Sequence, residues 1–171
     1  MPVRRYILFI CFVHIAVAAA AQPSHINFTS LTSRDGLLSN SVNAILKDRY
    51  GLLWIATDDG LNKFDGTNFT VYRHQAGDSS SLRANEILAL YEDPRGNLWV
   101  ATSGGAISQY DRRKDKFIHF PAGAGGDGFL SNAVVRSICG DRDGKIWMAQ
   151  FESPYVLDPA TGRIVKMDLT R

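Results

Sequence analysis

The feature that most constrains this chain is a line of about fifteen residues that occurs three times. It reads VNAILKDRYGLLWIA from Val42, ILALYEDPRGNLWVA from Ile87 and VRSICGDRDGKIWMA from Val135. The tryptophans of the three copies are 45 and then 48 residues apart. A self-similar period of about 40–50 residues is the sequence signature of a repeat architecture. The chain is therefore interpreted as copies of one unit before any single motif is weighed.

Among the columns that keep one residue type in every copy, we predict that three form the structural core of the repeat. They are the tryptophans Trp54, Trp99 and Trp147, the glycines Gly51, Gly96 and Gly144, and the aspartates Asp48, Asp93 and Asp141. The indoles are expected to pack between neighbouring units, and Asp-x-x-Gly is typical of a tight turn. A calcium loop starting at Asp141 is disfavoured, because Ile146 stands where its glycine belongs. We expect no metal site.

Each copy holds four short strand-like runs separated by Asp and Gly. In the first copy, the third run ends at Asp65-Gly66, a strong hairpin dipeptide. Four antiparallel strands per repeat are the unit of a β-propeller blade, and each blade needs a neighbour to cover its apolar faces. The prediction is an all-β chain with three such sheets in an incomplete ring. The expected blades are residues 36–79, 80–126 and 127–171.

The first 21 residues have the pattern of a cleaved signal peptide. Arg4 and Arg5 precede a mostly apolar stretch that ends in small residues at Ala21. This predicts export to the periplasm or outside the cell, with an uncleaved anchor as the minority alternative. Loss of both arginines leaves equal numbers of basic and acidic residues, so we expect no nucleic-acid partner. Cys139, on an inner-strand position, is predicted to be a buried thiol.

Residues 22–35 occupy the place of a fourth, outer strand without the three strands that should precede it. In propellers such a strand completes the last blade, but the third repeat already has its own outer strand, GRIVKMDL from Gly162. Closed propellers have about four to eight blades. We therefore expect a longer parent protein whose further blades complete the ring. Alone, the three blades are expected to self-associate through uncovered edges.

The first repeat, GLLSNSVNAILKDRYGLLWIATDDGLNKFD, resembles the two-component regulator propeller repeat. The second repeat has SGGAI where that family has Gly-Leu, and the third replaces the same loop with AQFESPYVLD. The resemblance implies a periplasmic sensor region of a hybrid histidine kinase that detects oligosaccharides. A full member would add an immunoglobulin-like connector, a membrane helix, a kinase and a response regulator, and a dimer of that parent is left open.

No nucleophile elbow, metal-binding histidine pair or phosphate loop occurs, so we expect no catalytic residue and no cofactor in this chain. Ligand-binding candidates are polar or aromatic residues predicted to lie on one face of the ring. They are Asp58, Asp59, Arg83, Asn85, Arg136, Gln150, Phe151 and Glu152. An aromatic ring beside amide and acid groups suits a sugar. Two alternatives remain open: a secreted propeller enzyme, either a lyase or a glycosidase, and a protein-interaction scaffold.

Overall fold

The computed structural model describes residues 28–120, 134–150 and 153–168, and the predicted signal peptide lies outside them. The described secondary structure belongs to one compact unit that begins at Leu31. It consists of three four-stranded antiparallel sheets, each formed by consecutive strands. The all-β prediction with three four-stranded sheets is therefore confirmed.

The strands follow one another at similar lengths in the three sheets. The first sheet contains β1 (Val42–Lys47), β2 (Leu53–Thr57), β3 (Gly60–Phe64) and β4 (Phe69–Tyr72). The second contains β5 (Ile87–Glu92), β6 (Leu98–Thr102), β7 (Ile107–Asp111) and β8 (Lys116–Phe120). The third contains β9 (Ser137–Gly140), β10 (Ile146–Ala149), β11 (Pro154–Asp158) and β12 (Arg163–Lys166). Each sheet falls within one of the three residue ranges predicted for the blades.

The turn between the first two strands of each sheet has the same backbone in every copy. In the first sheet the amide of Gly51 donates to the carbonyl of Asp48 at 2.9 Å, and Gly51 has a φ of +85°. Gly96 and Gly144 have φ values of +86° and +81°. Only glycine adopts this left-handed conformation without a steric cost. The predicted Asp-x-x-Gly turns are thus present in all three sheets.

Apolar side chains fill the two junctions between neighbouring sheets. Trp54 is fully buried among residues of the first two sheets, including Leu61 and Leu98. Trp99 is equally buried among residues of the second and third sheets, including Met148. Trp147, the third member of the column, is only partly buried. The indoles therefore pack between sheets wherever this chain supplies a following sheet.

Up-and-down connectivity gives the three sheets two distinct ends. The loops joining second to third strands lie at one end, together with the connections between sheets, and we call this end the loop face. The turns joining first to second and third to fourth strands lie at the other end, which we call the turn face. The Asp-x-x-Gly turns belong to the turn face.

Cys139 is exposed, so the prediction of a buried thiol is wrong. It pairs across strands with Trp147 and shares that residue's sheet face, which no following sheet covers within the described residues.

Of the predicted outer strand, residues 28–32 form no strand and Ser33–Asp35 form a 3₁₀ turn; residues 22–27 lie outside the described residues. Among the described residues, no helix is long and apolar enough to span a membrane.

Candidate functional site

The aspartate of each repeat binds both its own turn and the repeat's tryptophan. One carboxylate oxygen of Asp48 accepts the backbone N–H groups of Tyr50 and Leu52, at 2.9 and 3.0 Å. The other accepts the indole N–H of Trp54 at 2.8 Å. The same indole bond measures 3.2 Å from Trp99 to Asp93 and 2.9 Å from Trp147 to Asp141. The aspartate column thus attaches the turn to the inter-sheet indole.

These hydrogen bonds favour the charged form of the carboxylates. Burial alone would raise the pKa of Asp48, but the bonds from Trp54 and Arg112 outweigh it and lower the pKa. Burial is likewise outweighed at Asp93, whose pKa is lowered by bonds from Asn97 and the indole. At Asp141 the Trp147 indole is the main cause of a lowered pKa. All three carboxylates therefore stay ionised to a lower pH than an ordinary aspartate does.

At the first junction, an arginine from the second sheet fills the turn face. Arg112 lies in the β7–β8 turn, and its guanidinium contacts Asp48 at 2.8 Å and Glu92 at 3.1 Å. Its Nε donates to the carbonyl of Gly96 at 3.2 Å. The guanidinium lies 4.8 Å from the ring centroid of Tyr50. One cation thereby joins acids from two sheets.

A second polar cluster lies beside Trp54 at the same junction, formed by Lys63, Tyr72, Tyr110 and Asp115. The ammonium group of Lys63 donates to the hydroxyl of Tyr72 at 2.6 Å, and that hydroxyl donates to Asp115 at 2.6 Å. The hydroxyl of Tyr110 also bonds to Asp115. Burial and the Asp115 carboxylate raise the pKa of Tyr110 to about 12. This cluster joins strands of the first sheet to the β7–β8 hairpin of the second.

The second junction has different side chains at the equivalent positions. The strand registers show that Pro159 occupies the position in the third sheet that Arg112 has in the second. In the same way, Gly140 occupies the position of Glu92. The turn face there encloses a cavity of about 340 Å³, whose lining includes Asp93, Trp99 and Pro159. The first junction is closed by an ion pair, whereas the second is open.

On the loop face, the predicted candidates Asp58 and Asp59 both lie in the β2–β3 loop. Asp58 accepts the side-chain amide of Asn43 at 2.9 Å, and bonds from Ser41 and Asn43 lower its pKa. Asp59 forms an ion pair with Arg73. Both carboxylates are thus available at the surface but already have partners in the first sheet.

Asn85 and Arg83 precede the inner strand of the second sheet, as predicted. The amide oxygen of Asn85 accepts the backbone N–H of His74 at 2.8 Å. Asn40, the equivalent residue of the first repeat, accepts the N–H of Ser33 at 2.9 Å in the same way. This asparagine therefore braces the segments that lead into the first and second sheets. Arg83 is exposed on the loop face.

The remaining candidates belong to the third repeat. Arg136 is exposed at the entry to β9, and its backbone N–H donates to the carbonyl of Ala149 at 3.1 Å. Gln150 follows β10, and its side-chain nitrogen is buried without a hydrogen-bond partner among the described residues. Phe151 and Glu152 lie outside the described residues. The topology places the described candidates at one end of the sheets, while their joint binding of a ligand stays a prediction.

Sequence reasoning missed Asn43 and Arg112. Asn43 lies at a β-bulge in β1, and its amide also donates to the carbonyl of Ile87 in the second sheet at 2.9 Å. A bulge redirects a side chain, and one polar residue in a short strand does not reveal where the bulge lies. Arg112 looked like an ordinary turn residue. The sequence feature that could have identified it is the contrast with Pro159, which occupies the equivalent position of the third repeat.

Four-stranded sheets that adjoin along their inner strands, with a tryptophan packed in each junction, are the blades of a β-propeller. The chain carries three repeats of the two-component regulator propeller family, whose profile matches residues 36–59, 81–104 and 128–151. The family resemblance is thereby confirmed.

Relatives point to the sensor part of signalling proteins. A histidine kinase of Formosa agariphila is 47% identical over 73 residues, which are 43% of this chain and 5% of that protein. The extracellular domain of a hybrid two-component system from B. thetaiotaomicron superposes with a TM-score of 0.71 at 29% identity. That match covers 82% of this chain and 20% of the other. This chain therefore spans a fifth or less of these relatives.

A similar fold also occurs in an enzyme. Virginiamycin B lyase from Staphylococcus aureus superposes with a TM-score of 0.60 at 15% identity, over 84% of this chain and 45% of the lyase. At that identity the likeness shows the propeller fold alone.

Proposed function

We propose that this chain is part of the ligand-sensing propeller of an exported two-component sensor, and that the sensed ligand is an oligosaccharide. The observation that carries the proposal is the similarity to the extracellular domain of a hybrid two-component system over 82% of this chain. In this proposal the chain binds and does not catalyse. The whole protein is a membrane-anchored histidine kinase whose propeller lies in the periplasm.

The chemistry of the loop face supports a sugar as the ligand. Asp58 and Asp59 offer carboxylate oxygens, and Arg83 offers a guanidinium, all at the surface. The buried amide nitrogen of Gln150 has a donor to spare among the described residues. Sugars are recognised by a few convergent polar groups that bond their hydroxyls. The loop face supplies such groups from two of the three sheets and from the segment between the first two.

The test is a thermal-shift screen of the whole sensor domain against oligosaccharides, followed by calorimetry of any that stabilise it. We expect at least one oligosaccharide to raise the melting temperature, because a ligand that binds only the folded state stabilises it. Asp58→Asn should weaken that ligand's binding at least threefold. Asp143→Asn, a matched change on the turn face, should leave the affinity unchanged. The absence of any stabilising glycan, or equal effects of the two variants, would contradict the proposal.

A propeller enzyme is the alternative from the sequence. Its structural support is the likeness to virginiamycin B lyase, which at 15% identity carries the fold and no chemistry. No observation on the described residues favours it over sensing.

A further inference from the structure

We propose that the turn-face cavity between the second and third sheets binds a guanidinium group supplied from outside the three sheets. We call it the junction cavity. It lies at the opposite end of the sheets from the loop face, so this proposal is independent of the oligosaccharide site.

The internal repeat provides the template for the ligand. At the first junction a guanidinium is held by the turn aspartate Asp48 at 2.8 Å and by the carbonyl of Gly96 at 3.2 Å. It also lies 5.9 Å from the ring centroid of Trp54. A second acid, Glu92, binds the same guanidinium at 3.1 Å. The turn aspartate, the carbonyl and the indole belong to the repeated core and recur at the second junction, where Gly140 takes the place of Glu92.

At the second junction the equivalent acid and indole are present but the arginine is not. Asp93 and Trp99 line the junction cavity, and Pro159 stands where Arg112 stands in the preceding repeat. Proline has neither charge nor length enough to reach the aspartate. The volume of about 340 Å³ is within the usual range for a small-ligand pocket.

The charges around the cavity favour a cation. Four carboxylates line it, from Asp93, Asp141, Asp143 and Asp158, against the two guanidinium groups of Arg95 and Arg142. Among the described residues, neither arginine comes within 4.0 Å of a carboxylate oxygen. Ionised carboxylates facing a partly enclosed space attract a cation more strongly than they would in open water.

The hydrogen bonds of Asp93 show what a ligand would add. The oxygen that corresponds to the arginine-binding oxygen of Asp48 accepts the side-chain amide of Asn97 at 2.8 Å. The amide supplies a donor but no charge, so the carboxylate is bonded without being neutralised. A guanidinium that enters the cavity can share this carboxylate, because a planar cation donates its N–H groups in a fork.

The test uses the whole chain labelled with ¹⁵N, and follows the indole N–H resonance of Trp99 during titration. The probes are acetyl-arginine-amide, acetyl-agmatine and acetyl-citrulline-amide, and the first two each carry one positive charge. Citrulline has nearly the shape of arginine but an uncharged end group. We expect the two guanidinium probes to shift the Trp99 resonance and the citrulline probe to bind at least tenfold more weakly. Added salt should weaken binding, because the attraction is electrostatic.

Two matched pairs of variants locate the site. Pro159→Arg copies the sequence of the second repeat, so its own guanidinium should fill the cavity and weaken probe binding at least tenfold. Pro159→Met removes the proline without adding charge and should keep binding. Asp143→Asn should weaken binding severalfold, whereas Glu86→Gln, an equal charge change on the loop face, should not. Circular dichroism verifies that each variant is folded.

Some outcomes identify where the guanidinium comes from, and others contradict the proposal. Tighter binding of acetyl-agmatine indicates a free small molecule, and tighter binding of acetyl-arginine-amide indicates an arginine side chain of a polypeptide; both support the proposal. Equal binding of the citrulline probe, unchanged binding by Pro159→Arg, or a shift confined to the other two indoles would overturn it. None of these results bears on oligosaccharide binding at the loop face.

Discussion

Replacing Trp99 by phenylalanine should destabilise the chain by about 2 kcal/mol, whereas the same change at Trp147 should cost less than about 1 kcal/mol. Both indoles belong to the same repeat column and both donate to a turn aspartate. They differ in burial: Trp99 is 1% exposed between two sheets, and Trp147 is only partly buried. The comparison therefore isolates the effect of the neighbouring sheet.

The magnitude at Trp99 has two parts. Phenylalanine buries on the order of 40 Å² less than tryptophan, which at about 25 cal/mol per Å² amounts to about 1 kcal/mol. Loss of the indole donor to Asp93 adds about 1 kcal/mol, because the half-buried carboxylate keeps one partner fewer. At Trp147 less area is lost, and water can replace the donor to Asp141.

Hydrogen-bond length alone predicts the opposite order. The indole bond is shorter at Trp147 (2.9 Å) than at Trp99 (3.2 Å), so a stability governed by that bond would make Trp147 the costlier site. The assay is urea unfolding followed by far-ultraviolet circular dichroism at pH 7. The double variant should be close to additive, because the two indoles lie in separate environments. An equal or larger loss at Trp147 would refute the packing argument.

Three further outcomes are expected from urea unfolding. Arg112→Met should cost about 2–3 kcal/mol, because it leaves a buried aspartate without its ion pair; Arg113→Met in the same turn should cost under about 0.5 kcal/mol, and equal costs would contradict the inter-sheet role. Gly60→Ala should cost more than Gly66→Ala: both have positive φ, but a Cβ at Gly60 meets a backbone oxygen at 2.6 Å, whereas Gly66 is open. Stability should fall below about pH 4, since the turn aspartates have lowered pKa values, and again above about pH 10, since Tyr72 and Tyr110 have raised ones. Tyr110→Phe should flatten the alkaline arm, and an unchanged arm would assign it to other groups.

The signs of the pH arms follow from the direction of each shift. A carboxyl with a lowered folded pKa contributes stability above its unfolded value of about 3.9, and that stability is lost as the pH falls. A tyrosine with a raised folded pKa contributes stability that is complete below about pH 10 and is lost as the pH rises. A plateau between the two arms is therefore expected.

Candidate ligand residues were harder to predict than the fold. The sequence placed Asp58 and Asn85 at the correct end of the sheets, because strand order follows from the repeat. It did not reveal that Asn85 already bonds the backbone of His74, or that Asp59 is paired with Arg73. Such contacts depend on loop conformation, which has no period in sequence. Binding by these residues stays a prediction.

The repeat alone determined the number of sheets, their strand order and the turns at Gly51, Gly96 and Gly144. These features are local, because the turn residues and the alternation of apolar residues act within one blade. The sequence pattern that encodes them occurs three times. Only the tertiary structure decided that Arg112 reaches Asp48, 64 positions earlier, that Cys139 is exposed, and that the second junction holds a cavity. Those features depend on how side chains of neighbouring blades match in size and charge, and no single repeat contains that information.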